Sequence, residues 1–185
     1  MTGKDRDNIS WLRELVKNAN ELLEATIANV TEEQAHWIPP GVAMPIGAHY
    51  AHVVLSQDGA VSGVFKGGTP LFAAAWAGKT GVSDLPPVSD PAKPGFSDWS
   101  GWSKIVKVDL PATRKYASAV YAATDEFLAS LSLGDLERPV DLTAVGLGKS
   151  TMGFVINNGI VGNAFTHCGE ISCLKGQQGK RGYPF

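Results

Sequence analysis

The chain has 185 residues, 16 of them basic and 18 acidic, so its formal net charge at pH 7 is only −2. Hydrophobic residues make up 44%, which is enough for a core and excludes a wholly disordered chain. No basic face is evident for nucleic acid, no apolar run approaches the roughly 18 residues of a membrane span, and the polar N-terminus has no secretory apolar region. The two cysteines form no disulfide framework. We therefore expect a cytoplasmic protein that binds neither nucleic acid nor membranes.

Two helices are predicted in the first third of the chain. Apolar residues recur three and four positions apart from about Ile9 to Val30, which is typical of an amphipathic helix. The second helix covers about Pro45 to Lys66 and is apolar or small almost all round, so we expect it to be buried on several sides. Its main apolar stripe consists of Ile46, Tyr50, Val53, Gln57 and Val64.

The next segment of about forty residues, 67–109, loses this periodicity and is rich in glycine, proline and tryptophan. Such a length is unusual for a simple loop in a compact domain, so we expect a packed crossover with one or two short helical pieces, one of them near 71–77. Asp109 then caps a third helix with Pro111 in its first turn, and this helix reaches about Leu131.

The last third contains an extended piece at Pro139 to Thr143 and a fourth helix from Ser150 or Thr151 to Lys175. The predicted apolar stripe of this helix consists of Phe154, Ile160, Val161, Ala164, Cys168 and Ile171. Four long helices with almost no strand pattern predict an all-α fold, a four-helix bundle with a long crossover between helices two and three. We expect the chain to form a single domain, 1–185.

A polar row on the fourth helix is the first candidate for chemistry. Asn163 and His167 are four residues apart, so their side chains lie one turn apart on one face, and Glu170 follows on the same strip. The apolar stripe of this helix lies beside the row. The row therefore borders the core and is able to face a cleft.

The second helix offers two further imidazoles, His49 and His52. Helical phase favours His49, but this helix has no polar face, so phase discriminates poorly and either ring is able to meet His167. Two histidines from different helices plus a third donor are sufficient for a divalent first-row metal. By spacing, the third donor here is the amide oxygen of Asn163.

Three segments carry a resemblance to a known family. They are WIPP at Trp37–Pro40, PIGAHYAHVVLSQD at Pro45–Asp58, and NAFTHCGEISCLKGQQG at Asn163–Gly179. In order and spacing they resemble the DinB-like superfamily, which includes DinB and mycothiol-dependent maleylpyruvate isomerase-like proteins. The resemblance implies a four-helix bundle with a long crossover, a homodimer, and a metal held by three histidines.

Transferred position by position, the resemblance identifies His52, ahead of Asp58, as the first ligand in place of His49. It places His167 as another ligand and Asn163 where the family has its remaining histidine. Glu170 stands where the family has glutamine. The resemblance thus implies a divalent metal (Zn, Ni, Mn or Fe) held by His52, Asn163 and His167. Glu170 then serves as a replacement ligand or a base, and Asp58 supports proton transfer.

Two functional hypotheses follow. In the first, the protein is a metal-dependent enzyme of the thiol-dependent transferase or isomerase type, or a hydrolase, acting on a low-molecular-weight thiol or another small molecule. In the second, the bundle has lost its site and acts as a binding or dimerisation module without metal. The asparagine at position 163 favours the second hypothesis.

Overall fold

The computed structural model describes residues 3–86, 99–143 and 146–185, with side chains from residue 8 onward, and this part of the chain is mostly helical. The first long helix, α1, spans Gly3–Ile27, and a short helix, α2, spans Glu32–His36. A capping box between Thr31 and Gln34 begins α2, with reciprocal backbone and side-chain hydrogen bonds. Helix α3 spans Ile46–Asp58 and continues without a break as a π-helix, Gly59–Phe65.

The remaining elements follow the crossover. A 3₁₀ turn covers Leu71–Ala73, where the sequence predicted a longer helical piece. Helix α4 spans Trp99–Ile105, a second short helical piece in the crossover whose position was not predicted, and α5 spans Leu110–Ala129 with Asp109 as its N-cap. A second 3₁₀ turn, Leu133–Glu137, precedes strand β1, Pro139–Leu142, which pairs antiparallel with an unpredicted strand β2, Gly148–Thr151. The last run consists of α6, Met152–Phe154, a π-helix, Val155–Gly162, and α7, Asn163–Gln177.

The four long helices form a bundle, as predicted. Helix α1 packs against α5 and α7, and α3 packs against the same two helices. Helices α1 and α3 therefore stand at opposite corners, and the α3–α7 edge faces away from the α1–α5 edge. The core is filled by large side chains that are almost fully buried, among them Leu23, Ile27, Ile46, Tyr50, Tyr116, Leu128, Ile156, Ile160 and Ile171.

Both π-helices change which residues face the core. Each π turn contains an additional residue, so the apolar stripe of an ideal α-helix loses its phase across it. Val64 was predicted in the stripe of the second helix but lies in the first π segment and is 46% exposed. Phe154 was predicted in the stripe of the fourth helix but is 55% exposed, because the second π segment separates it from Ile160.

The described parts of the crossover are hydrogen-bonded to the bundle. The backbone amides of Leu71 and Phe72 both donate to the Asp58 carboxylate, each at 3.0 Å. Further along, the backbone at Gly81 comes too close to the start of α5 for any side chain. Gly81 has a φ of +77°, and a Cβ at this position would lie 2.7 Å from the Asp109 carbonyl oxygen and the Thr113 nitrogen. The predicted crossover 67–109 includes residues 87–98, which lie outside the described residues.

A buried lysine fixes the end of α1. The Lys175 ammonium group donates to the Thr26 carbonyl oxygen at 2.7 Å, and this carbonyl belongs to the last turn of α1, where carbonyls have no partner within the helix.

Lys175→Met should lower the free energy of unfolding by about 1.5 kcal/mol, because the buried carbonyl loses a charge-assisted hydrogen bond. Urea unfolding checks this. Lys180→Met, at an exposed position, should change stability by less than about 0.5 kcal/mol. Equal effects of the two substitutions would contradict the capping role.

None of the described helices is both long and apolar enough to cross a bilayer.

Candidate metal centre

Three donor atoms from α3 and α7 converge at one edge of the bundle. The Nδ1 atoms of His49 and His167 lie 2.9 Å apart, and the Glu170 Oε2 atom lies 2.5 Å from His167 Nδ1 and 3.2 Å from His49 Nδ1. His49 and His167 come from different helices, while Glu170 follows His167 by less than one turn. Among the described residues, these three side chains form a group whose possible ligand atoms all lie close to one another. These side chains are therefore arranged so that they could hold a metal ion.

The three donors suit a divalent first-row cation. Two imidazole nitrogens and one carboxylate oxygen are ligands that zinc, iron, nickel and manganese share. In a tetrahedral site with bonds near 2.0–2.1 Å, ligand atoms stand roughly 3.3 Å apart. The observed separations of 2.5–3.2 Å are shorter by less than about 1 Å. Small side-chain rotations are therefore enough to admit an ion.

The predicted ligands His52 and Asn163 are also close to this group, through contacts of their own. The ring centroids of His52 and His167 are 4.8 Å apart in an edge-to-face arrangement, and the Asn163 side chain hydrogen-bonds to His52. Among the described residues, His52 Nδ1 is buried and has no hydrogen-bond partner. The structure thus brings His52, Asn163 and His167 together. The Glu170 carboxylate, however, lies against His167 and His49.

Trp99, which sequence reasoning did not assign to the site, covers His52. Its ring lies edge-to-face on the imidazole at a centroid distance of 4.3 Å and in turn contacts Trp102 at 5.3 Å. Trp99 begins α4, which belongs to the crossover and has no apolar periodicity of its own. The only hint in the sequence was the concentration of tryptophans there.

Asp58, which the sequence suggested for proton transfer, lies in a separate network. Its carboxylate accepts from the hydroxyls of Ser62 at 2.8 Å and Tyr116 at 2.7 Å, in addition to the two amides of the 3₁₀ turn. Every one of these donors belongs to the bundle or the crossover, and no histidine is among them. The observed contacts are those of a residue that anchors the crossover to the bundle.

His36, the fourth histidine, also has structural partners. Its Nε2 atom accepts from the backbone amide of Val108 at 2.9 Å, so Nδ1 carries the proton that is donated to the Glu32 carbonyl at 2.9 Å. The ring links α2 to the residues that precede α5.

The histidines of the centre are held neutral. Burial lowers the pKa of His49 to about 3, with His167 and His52 adding to the effect. Burial likewise lowers the pKa values of His52 and His167 to about 4, the former despite the hydrogen bond to Asn163. Burial raises the pKa of the Glu170 carboxyl. Neutral imidazoles are the form that binds metals.

These pKa values predict how the stability of the metal-free protein depends on pH. Between pH 6.5 and 5 the histidines of the unfolded chain take up protons, whereas those of the folded chain do not. Unfolding is therefore favoured as the pH falls, by about 1 to 2 kcal/mol for each histidine that stays neutral. Urea unfolding of chelator-treated protein measures this loss. A free energy of unfolding that is constant or rises over this window would contradict the neutral cluster.

The cluster opens into a pocket of about 390 Å³. Its wall is mostly apolar and comes from the loop before α3 and from α7. It is formed by Val42, Ala43, Met44, Cys173, Leu174 and Gln177, together with the three donors. His49 is only 4% exposed, whereas the side chain of Glu170 is 48% exposed, so the carboxylate is the donor nearest to solvent. The pocket gives a small molecule access to the metal-binding atoms.

Comparisons with known proteins agree with this architecture. The model of the DinB superfamily matches residues 15–170, and the chain therefore belongs to that superfamily. Among solved structures, the chain is similar to a conserved protein from Enterococcus faecalis, with a TM-score of 0.73 and 19% sequence identity. That match covers 92% of this chain and 97% of the other, and at this identity it shows the shared fold alone. No curated protein matches the chain significantly.

Proposed function

We propose that the protein is a metal-dependent enzyme in which His49, His167 and Glu170 bind a divalent first-row cation at the base of the pocket. The observation that carries the proposal is the convergence of the three donor atoms within 3.2 Å of one another. Neutral imidazoles are ready to bind without first losing a proton, and burial of the rings limits competition from water. A bound cation of this kind lowers the pKa of a coordinated water or thiol.

The surrounding residues favour a small substrate with an apolar part. Val42, Ala43 and Met44 form one side of the pocket and Leu174 part of the other, so they are able to contact that part and exclude water. Gln177 supplies a polar group to the same wall. Together with the superfamily resemblance, this supports a thiol-dependent transferase or isomerase that uses a low-molecular-weight thiol. Hydrolysis is the other reaction that the same centre supports.

The resemblance also supports a homodimer, and the two free cysteines favour the cytoplasm. We include both in the proposal, and sedimentation equilibrium of the full chain tests the dimer. A monomer at all accessible concentrations would exclude it.

Cobalt substitution tests the proposed chemistry. Chelator-treated protein is loaded with Co²⁺ and titrated with 2-mercaptoethanol while the absorption spectrum is recorded. We expect a new thiolate-to-cobalt band in the natural protein and none in His167→Ala. Cys173→Ala should retain the band, because Cys173 lines the pocket but is not among the three donors. Cobalt binding without a thiol-dependent band would contradict the thiol reaction, and no cobalt binding would contradict the metal centre.

A second candidate function is a metal-free binding or dimerisation module. It is favoured by the amide at Asn163, where the resemblance places a histidine, and by the hydrogen bonds that the donors make with one another. Under this hypothesis a chelator leaves the melting temperature of the purified protein unchanged. Under the metal hypothesis a saturating metal raises it by mass action.

A further inference from the structure

The pocket at the candidate metal centre has no lysine or arginine among the described residues that line it. These residues supply four apolar side chains, one thiol, one amide, the two histidines and the carboxylate of Glu170. Proteins usually bind a carboxylate or phosphate through basic side chains or through the amides at the start of a helix. The composition of this lining therefore bears on the charge of the molecule that the pocket accepts.

Lys175, which directly follows a pocket residue, points away from the pocket. Its ammonium group donates to the Thr26 carbonyl oxygen of α1 at 2.7 Å, and the residue is buried. The pocket lies on the other side of α7, where His49 of α3 contacts His167. Lys175 is thus unavailable to a molecule bound there.

The start of α3 does not supply an anion site either. This helix begins at Ile46, two residues after Met44 in the pocket wall. Ile46 and Ala48 are only 1% and 2% exposed, Gly47 is also buried, and none of the three lines the pocket. The backbone amides of this first turn are therefore out of reach of a bound molecule.

The wall of the pocket suits an uncharged ligand. Val42, Ala43 and Met44 provide apolar surface on one side and Leu174 on the other, and Val42 is 83% exposed, so this surface continues to the outside of the molecule. Gln177 adds a neutral amide, which is able to donate and accept hydrogen bonds. A charged group placed against such a wall loses its hydration without gaining a partner.

We propose that the pocket selects uncharged thiols with an apolar body and discriminates against thiols that carry a carboxylate. This inference rests on the proposed function. A divalent ion held by Glu170 and two neutral imidazoles keeps one net positive charge, which the thiolate of the ligand neutralises. A further carboxylate on the ligand would be left without a counter-charge, close to Glu170 and against the apolar wall.

Two thiols of the same shape and different charge test this selectivity. Protein loaded with Co²⁺ is titrated near neutral pH with 4-(mercaptomethyl)benzamide, which is uncharged, and with 4-(mercaptomethyl)benzoate, which is an anion. The thiolate-to-cobalt band gives the Kd of each thiol, and the rigid ring keeps the para group away from the ion that binds the sulfur. We expect the benzamide to bind at least about tenfold more tightly than the benzoate.

A lysine introduced into the wall should reduce this preference. Val42→Lys adds an ammonium group at an exposed position of the lining, so it should strengthen benzoate binding about fivefold and change benzamide binding by less than about twofold. Val64→Lys is the matched control, because Val64 is 46% exposed and does not line the pocket. It adds the same charge to the protein and should change neither affinity.

The outcomes separate this inference from the proposed function. A benzamide preference that falls in Val42→Lys and persists in Val64→Lys supports the selectivity. Equal affinity for the two thiols, tighter binding of the benzoate, or the same response to both lysine variants would overturn the selectivity and leave the metal centre standing. Absence of a cobalt band with either thiol would overturn the thiol reaction and the selectivity together.

Discussion

Replacement of His167 by alanine should weaken zinc binding by at least about 100-fold. His167 is the donor closest to both of the others, because its Nδ1 atom lies 2.9 Å from His49 Nδ1 and 2.5 Å from Glu170 Oε2. Loss of groups that only support metal ligands already reduces affinity 10- to 100-fold, so loss of a ligand should have a larger effect. Competition of the chelated protein with a chromophoric zinc chelator measures the change.

The same assay separates the two donor sets that share His167. If the observed cluster binds the metal, His49→Gln and Glu170→Gln should each reduce affinity at least tenfold more than His52→Gln and Asn163→Ala do. The reverse ranking would assign the metal to His52, Asn163 and His167, as the resemblance implies. Circular dichroism of each metal-free variant serves as the folding control.

Asp58→Ala should lower the free energy of unfolding by about 4 kcal/mol. The carboxylate is fully buried and accepts from four groups, namely the hydroxyls of Ser62 and Tyr116 and the backbone amides of Leu71 and Phe72. Alanine leaves these buried donors unpaired, at about 1–3 kcal/mol for each, with partial relaxation reducing the sum. Urea unfolding of the metal-free protein measures the loss.

Two matched variants separate this anchoring role from a role in chemistry. Ser62→Ala removes a single donor and should lower stability by about 1 kcal/mol. Asp58→Asn should reduce stability and leave the zinc affinity of the remaining folded protein unchanged. An Asp58→Ala protein within 1 kcal/mol of the natural one would show that the carboxylate does not anchor the crossover.

Much of the fold was predictable because it depends on local patterns. The spacing of apolar residues located the four long helices, Asp109 was recognisable as an N-cap, and Thr151 was one of the two N-caps considered for the last helix. The π segments were not predictable, because one additional residue in a turn leaves no mark on composition. They therefore reversed the expected exposure of Val64 and Phe154. Strand β2 was missed because GKST has neither alternation nor a β-branched run.

The candidate site was predictable in part for a similar reason. The spacing on α7 placed His167 and Glu170 on one strip, and helical phase on α3 favoured His49, which is the histidine that meets them. The resemblance favoured His52, whose ring also contacts His167. Sequence alone does not decide between these rings, because α3 is buried nearly all round and the choice depends on how it is rotated against α7.

An anomalous difference map from crystals grown with one equivalent of Zn²⁺ most directly tests whether α3 and α7 together bind a metal. We predict one strong peak in contact with His49 Nδ1, His167 Nδ1 and Glu170 Oε2. A protein without ordered zinc in that pocket, or with zinc only at surface carboxylates, would contradict the metal centre.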